Sequence, residues 1–151
     1  MTSRISKALV VVALLVSSFV AFAQEDLLNS IAQLKRMEAM YPDQAEPKYQ
    51  RTLQTLNYAV MNPRDSRTEA LLAEASQAIT ELESQLDASD LYTLKGFYYM
   101  DLIVKDPAQN GRLYYLDVMQ YFEKALKLNP DNALAKDLQQ KFLAGMTAAM
   151  H

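Results

Sequence analysis

The sequence predicts an all-α protein, an antiparallel helix-pair stack of about six helices behind an N-terminal export leader. Three observations predict it. From Leu27 onward, apolar residues return every three or four positions, the spacing of one face of a helix. Four of these stripes end at a proline, which cannot donate to the helical ladder and clashes with the preceding turn. After residue 24 there are no alternating apolar–polar runs and no clusters of β-branched residues, so strands have little support.

The leader comes first. Arg4 and Lys7 precede an uncharged run from Ala8 to Ala23, which closes on Ala21-Phe22-Ala23 and is followed by Glu25-Asp26. A positive start, an apolar middle and a small-x-small exit are the three parts of a secretory signal peptide. The run is shorter than the roughly 20 apolar residues a spanning helix needs. The expectation is a signal peptide over 1–23, cleaved after Ala23, and a periplasmic or secreted domain over 24–151.

The stripes then follow in order. Leu27, Ile31, Leu34, Met37 and Tyr41 form the first, ended by Pro42, and Tyr49, Leu53, Leu56 and Val60 the second, ended by Pro63. Leu71, Leu72, Ala75, Ile79, Leu82 and Leu86 form the third. Tyr92, Gly96, Tyr99 and Ile103 form the fourth, ended by Pro107; Leu113, Val118, Phe122, Ala125 and Leu128 form the fifth, ended by Pro130. Leu134, Leu138, Phe142 and Met146 make the sixth. Ser66, Ser89 and Asp131 stand where a side-chain oxygen can accept first-turn amide protons. Pro63–Arg67 and Lys105–Gly111 read as polar, turn-rich connections, short enough to make neighbours antiparallel.

Charge and cysteine content limit the function classes. The whole chain has 15 Lys+Arg against 18 Asp+Glu; Arg4 and Lys7 leave with the leader, so 13 basic residues remain and the domain carries about −5. That disfavours nucleic acid, whose phosphates need a basic face, and an anionic membrane surface. There is no cysteine, so the fold has no disulfide and the domain no thioether-linked lipid. It must rest on an apolar core, which a domain of this length can supply.

The chain also repeats itself. A shift of 43 residues carries Tyr49 onto Tyr92, Leu53 onto Gly96, Leu56 onto Tyr99 and Val60 onto Ile103. It also carries Ala75 onto Val118, Ile79 onto Phe122 and Leu82 onto Ala125, and brings Pro63 within one residue of Pro107. In the second copy, Tyr121-Phe122-Glu123-Lys124-Ala125-Leu126-Lys127-Leu128-Asn129-Pro130 resembles the second helix and exit turn of a tetratricopeptide repeat, through Phe122, Ala125 and Pro130. Tyr92, Gly96 and Tyr99 match the aromatic, glycine and tyrosine of that family's first helix. The resemblance covers about residues 89–135 and fades over 45–87, where Leu53 replaces the glycine and Asp87-Ala88 the proline. The repeat is longer than the family's, which is about 34 residues; the surplus falls between the helices of each pair, around Pro63 and Pro107. The resemblance implies a right-handed stack with pairs at about 46–86 and 89–128, half a repeat before them, and a capping helix over 131–148.

Catalysis finds no support in the residues. The single histidine is His151, so no triad and no histidine-based metal site can be assembled. Glu81 with Glu83, and Asp87 with Asp90, read as carboxylates on solvated helix faces or caps. Met146, Met150 and His151, or Met37 and Met40, offer soft ligands to copper, but methionine more commonly fills irregular core space. No cofactor is expected. Tyr98, Tyr114 and Tyr115 read either as cover for the loop of the second pair or as a homo-oligomer contact.

The resemblance also implies a concave groove lined by the first helix of each pair, one step off the core stripe. Matching positions give Gln50, Gln54, Asn57 and Tyr58 in the first pair, and Thr93, Phe97, Met100 and Asp101 in the second. Such a surface suits a partly apolar peptide or helix. The function expected is a scaffold for protein–protein interaction in the cell envelope, with no chemistry of its own. The alternative is a periplasmic accessory protein that encloses a small molecule or metal.

Overall fold

A computed structural model describes residues 24–149; the leader, Met150 and His151 lie outside them. The described residues form six α-helices: α1 (Gln24–Met40), α2 (Ala45–Met61), α3 (Thr68–Leu82), α4 (Ala88–Lys105), α5 (Pro107–Leu128) and α6 (Ala133–Ala149). Each helix packs on the next in sequence, and α4 also touches both α2 and α6. The fold is thus an all-α bundle of sequentially paired helices, with α2, α4 and α6 side by side as one row.

The row holds the main core. Leu53 and Leu56 of α2, Leu94 and Phe97 of α4, and Leu134, Leu138 and Phe142 of α6 belong to one buried cluster, which α3 and α5 close with Leu72, Ile79, Leu82, Val118 and Phe122. Burying a side chain of this size is worth about 1.5–3 kcal/mol, so the cluster supplies what disulfides would otherwise add. A second, smaller cluster fastens α1: Leu27 and Ile31 meet Tyr58 of α2 and Leu71 of α3. Only the first half of the α1 stripe is buried, since Met37 and Tyr41 are 44% and 46% exposed.

Helices α4 and α5 make the closest pair, and Gly96 is the reason. A Cβ there would stand 2.6 Å from Cε1 and 2.8 Å from Cδ1 of Phe122. The ring therefore lies directly against the α4 backbone, and any side chain at 96 would wedge the two helices apart. Glycine's usual cost within a helix, about 0.5–1 kcal/mol, is offset by that contact.

The helix starts correct the sequence reading. The Lys105–Gly111 stretch is not a loop: Asp106 alone separates α4 from α5, and Pro107 begins α5. Proline suits that position because its missing amide proton would have had no acceptor there, and the Asp106 carboxylate accepts from the Gln109 amide at 3.2 Å. The surplus of the second repeat is thus helix, whereas that of the first is the turn Asn62–Arg67. Ser66 does not cap α3. The Asp65 carboxylate takes the Arg67 amide at 2.8 Å, and the Thr68 hydroxyl donates to the Asn62 carbonyl at 2.6 Å. Ser89 lies inside α4, where its hydroxyl donates to the Ala125 carbonyl of α5 at 2.7 Å. Asn132, not Asp131, caps α6, accepting the Ala135 amide at 3.1 Å.

Candidate functional site

An apolar groove of about 420 Å³ runs along the row α2–α4–α6. Its floor is α4, with Phe97, Met100, Ile103 and Val104 at near-helical spacing. One wall is Asn57 and Val60 of α2. The other is α6, which contributes Leu134, Leu138, Phe142 and Met146, with Asp137, Lys141 and Gly145 along its edge. Pro107 closes the end where α5 begins. Val104, Lys141 and Gly145 are exposed, so the groove opens to solvent. Its two charges cancel: Lys141 pairs with Asp137 at 2.9 Å. What remains is an apolar channel with one amide, Asn57, at its lip.

Of the eight residues named from sequence, the structure brings three together here: Asn57, Phe97 and Met100. Gln50 and Gln54 lie half-buried on α2, outside the lining. Tyr58 points away, into the α1 cluster with Leu27 and Ile31. Thr93 is buried in a polar joint with Asn132. Asp101 is buried in the bundle, and neither carboxylate oxygen has a hydrogen-bond partner. Burial pushes its carboxyl well above the ordinary range, so the fold favours it protonated.

The α6 wall was absent from the sequence reading, which treated α6 as a cap. The rule used for α2 and α4 would not have found it: one step past the stripe stand Ala135, Gln139 and Leu143, whereas the groove takes Asp137, Lys141 and Gly145, one step before it.

Asp90 is a further correction. It is not on a solvated face but 6% exposed, in a joint between three helices. Asn132, the cap of α6, donates from its side-chain amide toward Ser89 Oγ at 2.9 Å, Thr93 Oγ1 at 3.2 Å and Asp90 Oδ1 at 3.3 Å. Burial, then the nearby Asp87, push the Asp90 carboxyl up to about 6, with the Asn132 bond acting the other way.

On the other side of α2 lies a cleft of about 450 Å³, bounded by α1, α2 and α3. Three cations and three anions line it, and each cation has a partner. Lys35 meets Glu74 at 2.8 Å, Lys48 meets Glu81 at 2.6 Å, and the Arg51 guanidinium forks onto Glu38. The tyrosines form a ladder on the α4–α5 surface, with Tyr99 stacked on Tyr121 at 5.8 Å and leaning on Tyr98 and Tyr114. Tyr115 instead leans on Phe142. These rings are largely spent on one another.

No group of three or more metal-binding side chains of the His, Cys, Asp and Glu type occurs among the described residues. The copper candidate that used Met150 and His151 lies outside them. None of the described helices is long and apolar enough to cross a membrane. No family model, no curated protein and no solved structure matches the chain.

Proposed function

We propose that this protein is an exported, tetratricopeptide-like scaffold that holds an amphipathic segment of a protein partner in the α2–α4–α6 groove. The observation that carries the reading is the groove's apolar floor, open to solvent and built on α4 beside α2, the two helices to which the resemblance assigns binding, with α6 as a further wall. A stack of this kind with no occupant would leave Val104 and the edge of Met146 facing water at a concentrated apolar surface, which soluble domains generally cover. Helix-in-groove recognition uses apolar anchors at i, i+3/i+4 and i+7, and Phe97, Met100 and Val104 repeat at that spacing on the receiving side. The groove's balanced charge suits an apolar face better than a charged tail. The export leader supports a periplasmic or secreted setting. Binding, with no chemistry of its own, is the activity proposed.

A second reading keeps the groove and changes its occupant to a small apolar molecule, because 420 Å³ is also the size of an ordinary small-molecule site. One variant separates site from scaffold. Gly145 lines the groove, and a Cβ added there meets nothing within 4 Å. Gly145→Leu therefore fills the groove without disturbing the core. Affinity capture from the envelope fraction should lose its partner with Gly145→Leu and with Val104→Glu. Retention of every captured protein by both would reject the groove. Mass spectrometry of the protein under native conditions tests the second reading, which predicts a co-purifying molecule that Gly145→Leu expels.

A further inference from the structure

We propose that Ser89, Asp90, Thr93 and Asn132 form a proton-sensitive joint that docks α6 firmly in mildly acidic solution and loosens it toward neutral pH. The geometry supplies the reason. Asn132 has two amide protons and three oxygens in reach, on Ser89, Thr93 and Asp90. The hydroxyl protons are already committed: Ser89 donates to the Ala125 carbonyl at 2.7 Å and Thr93 to the Ser89 carbonyl at 2.8 Å. Neither can turn to the carboxylate. An ionised Asp90 is therefore left with the longest of the three Asn132 contacts.

Beyond the first turn of α4, in which Asp90 itself stands, no charged side chain compensates it. Among the described residues no Lys or Arg forms an ion pair with Asp90. On its own side Asp87 adds a like charge. From α2 it faces Tyr49, whose hydroxyl is buried, neutral and held so partly by Asp90 itself. From α6 it faces the neutral amide of Asn132, and α5 contributes only a carbonyl, through Ser89. A largely buried carboxylate with a single long side-chain donor opposes the packing above it.

The packing above it is α6. Asn132 both joins this cluster and starts that helix, accepting the Ala135 amide at 3.1 Å through its side chain and the Lys136 amide at 3.1 Å through its carbonyl. When α6 lifts, Asn132 leaves and Asp90 meets water. Its carboxyl then falls from about 6 toward its ordinary value near 3.8. The sign follows from proton linkage. With the docked value above the undocked one, no penalty exists below about pH 4, it grows as pH rises, and it is complete above about pH 6. Between pH 5 and pH 7.5 the opening equilibrium of α6 rises by up to about tenfold, the limit set by these two values. Because α6 is one wall of the groove, the joint would regulate groove width; that consequence rests on the proposed function, whereas the joint itself does not.

Hydrogen–deuterium exchange of the purified protein tests it, with rates corrected for the intrinsic pH dependence of amide exchange. Peptides from α6 should open several-fold and up to about tenfold more at pH 7.5 than at pH 5. Asp90→Asn, which keeps the shape and removes the charge, should flatten the α6 dependence; Asp101→Asn should leave it. A change below twofold in the wild type, or the same change surviving in Asp90→Asn, overturns the joint. Carboxyl 13C titration of the wild type covers the case of a misfolded variant. An Asp90 midpoint near 6 supports the joint, and one near 4 overturns it.

Discussion

The two clefts that flank α2 are nearly equal in volume and opposite in chemistry. The α1–α3 side encloses about 450 Å³ and is lined by charges that pair with one another. The α4–α6 side encloses about 420 Å³ and is lined by carbon, with a single self-cancelling ion pair. A polar cleft whose groups satisfy each other has little left to offer a ligand, because a newcomer must break those bonds before making its own. An apolar channel has no internal partners to lose. The first should therefore serve stability and the second binding, and substitutions can break that division.

The largest effect is expected at the charged cleft. Arg51 is 8% exposed and its guanidinium is engaged by Glu38 from α1. Glu38→Ala strands a nearly buried cation, which costs about 2–3 kcal/mol after allowing for partial exposure. Urea unfolding followed by circular dichroism should show it, while partner capture at the groove stays intact. Lost capture with unchanged stability would reverse the roles assigned to the two clefts.

A gain is expected from Asp101, a buried carboxylate that lines neither cleft. Asp101 has no partner and burial raises its carboxyl well above the ordinary range. The folded form therefore resists ionisation, so the protein loses stability as pH rises above the unfolded value of about 4. Asp101→Asn removes that penalty. Its unfolding midpoint should exceed wild type at pH 7.5, and the advantage should fade toward pH 4. A midpoint below wild type at pH 7.5 would mean that the charge has a partner.

The sequence made the helices legible because their period is a property of single stripes. Six stripes were enough to locate six helices. What sequence could not supply was direction around each helix. Tyr58 and Asn57 are adjacent, yet one faces α1 and the other the groove; a single residue turns the chain by about 100°. Asp90 and Asp101 look like surface acids, because nothing in a stripe says that its flank will be covered. Pro107 was read as a stop, and proline serves a helix start equally well. The pocket's α2 and α4 sides were thus legible as helices, while its α6 side and most of its lining side chains were not.

Gly145→Leu comes next, with a small effect on stability and a large one on binding. Replacing a helical glycine gains up to about 1 kcal/mol, and the added side chain enters open space. The unfolding midpoint should hold or rise slightly, and capture should fail. A protein that is destabilised and still binds would show that the channel is core, closed in solution, and that partners dock elsewhere.

The smallest effect should come from Lys35→Ala. Lys35 and Glu74 meet at 2.8 Å but are 45% and 43% exposed, so water and salt screen the pair. Such contacts are worth about 0.2–1 kcal/mol and fade as ionic strength rises. Lys35→Ala should cost no more than that in dilute buffer and almost nothing in 1 M salt, whereas the loss from Glu38→Ala should persist because Arg51 stays buried. The contrast is the sharper test, since both pairs line one cleft. If the two losses shrank equally with salt, the Arg51 pair would be a surface contact too, and the charged cleft could no longer be assigned to holding α1 in place.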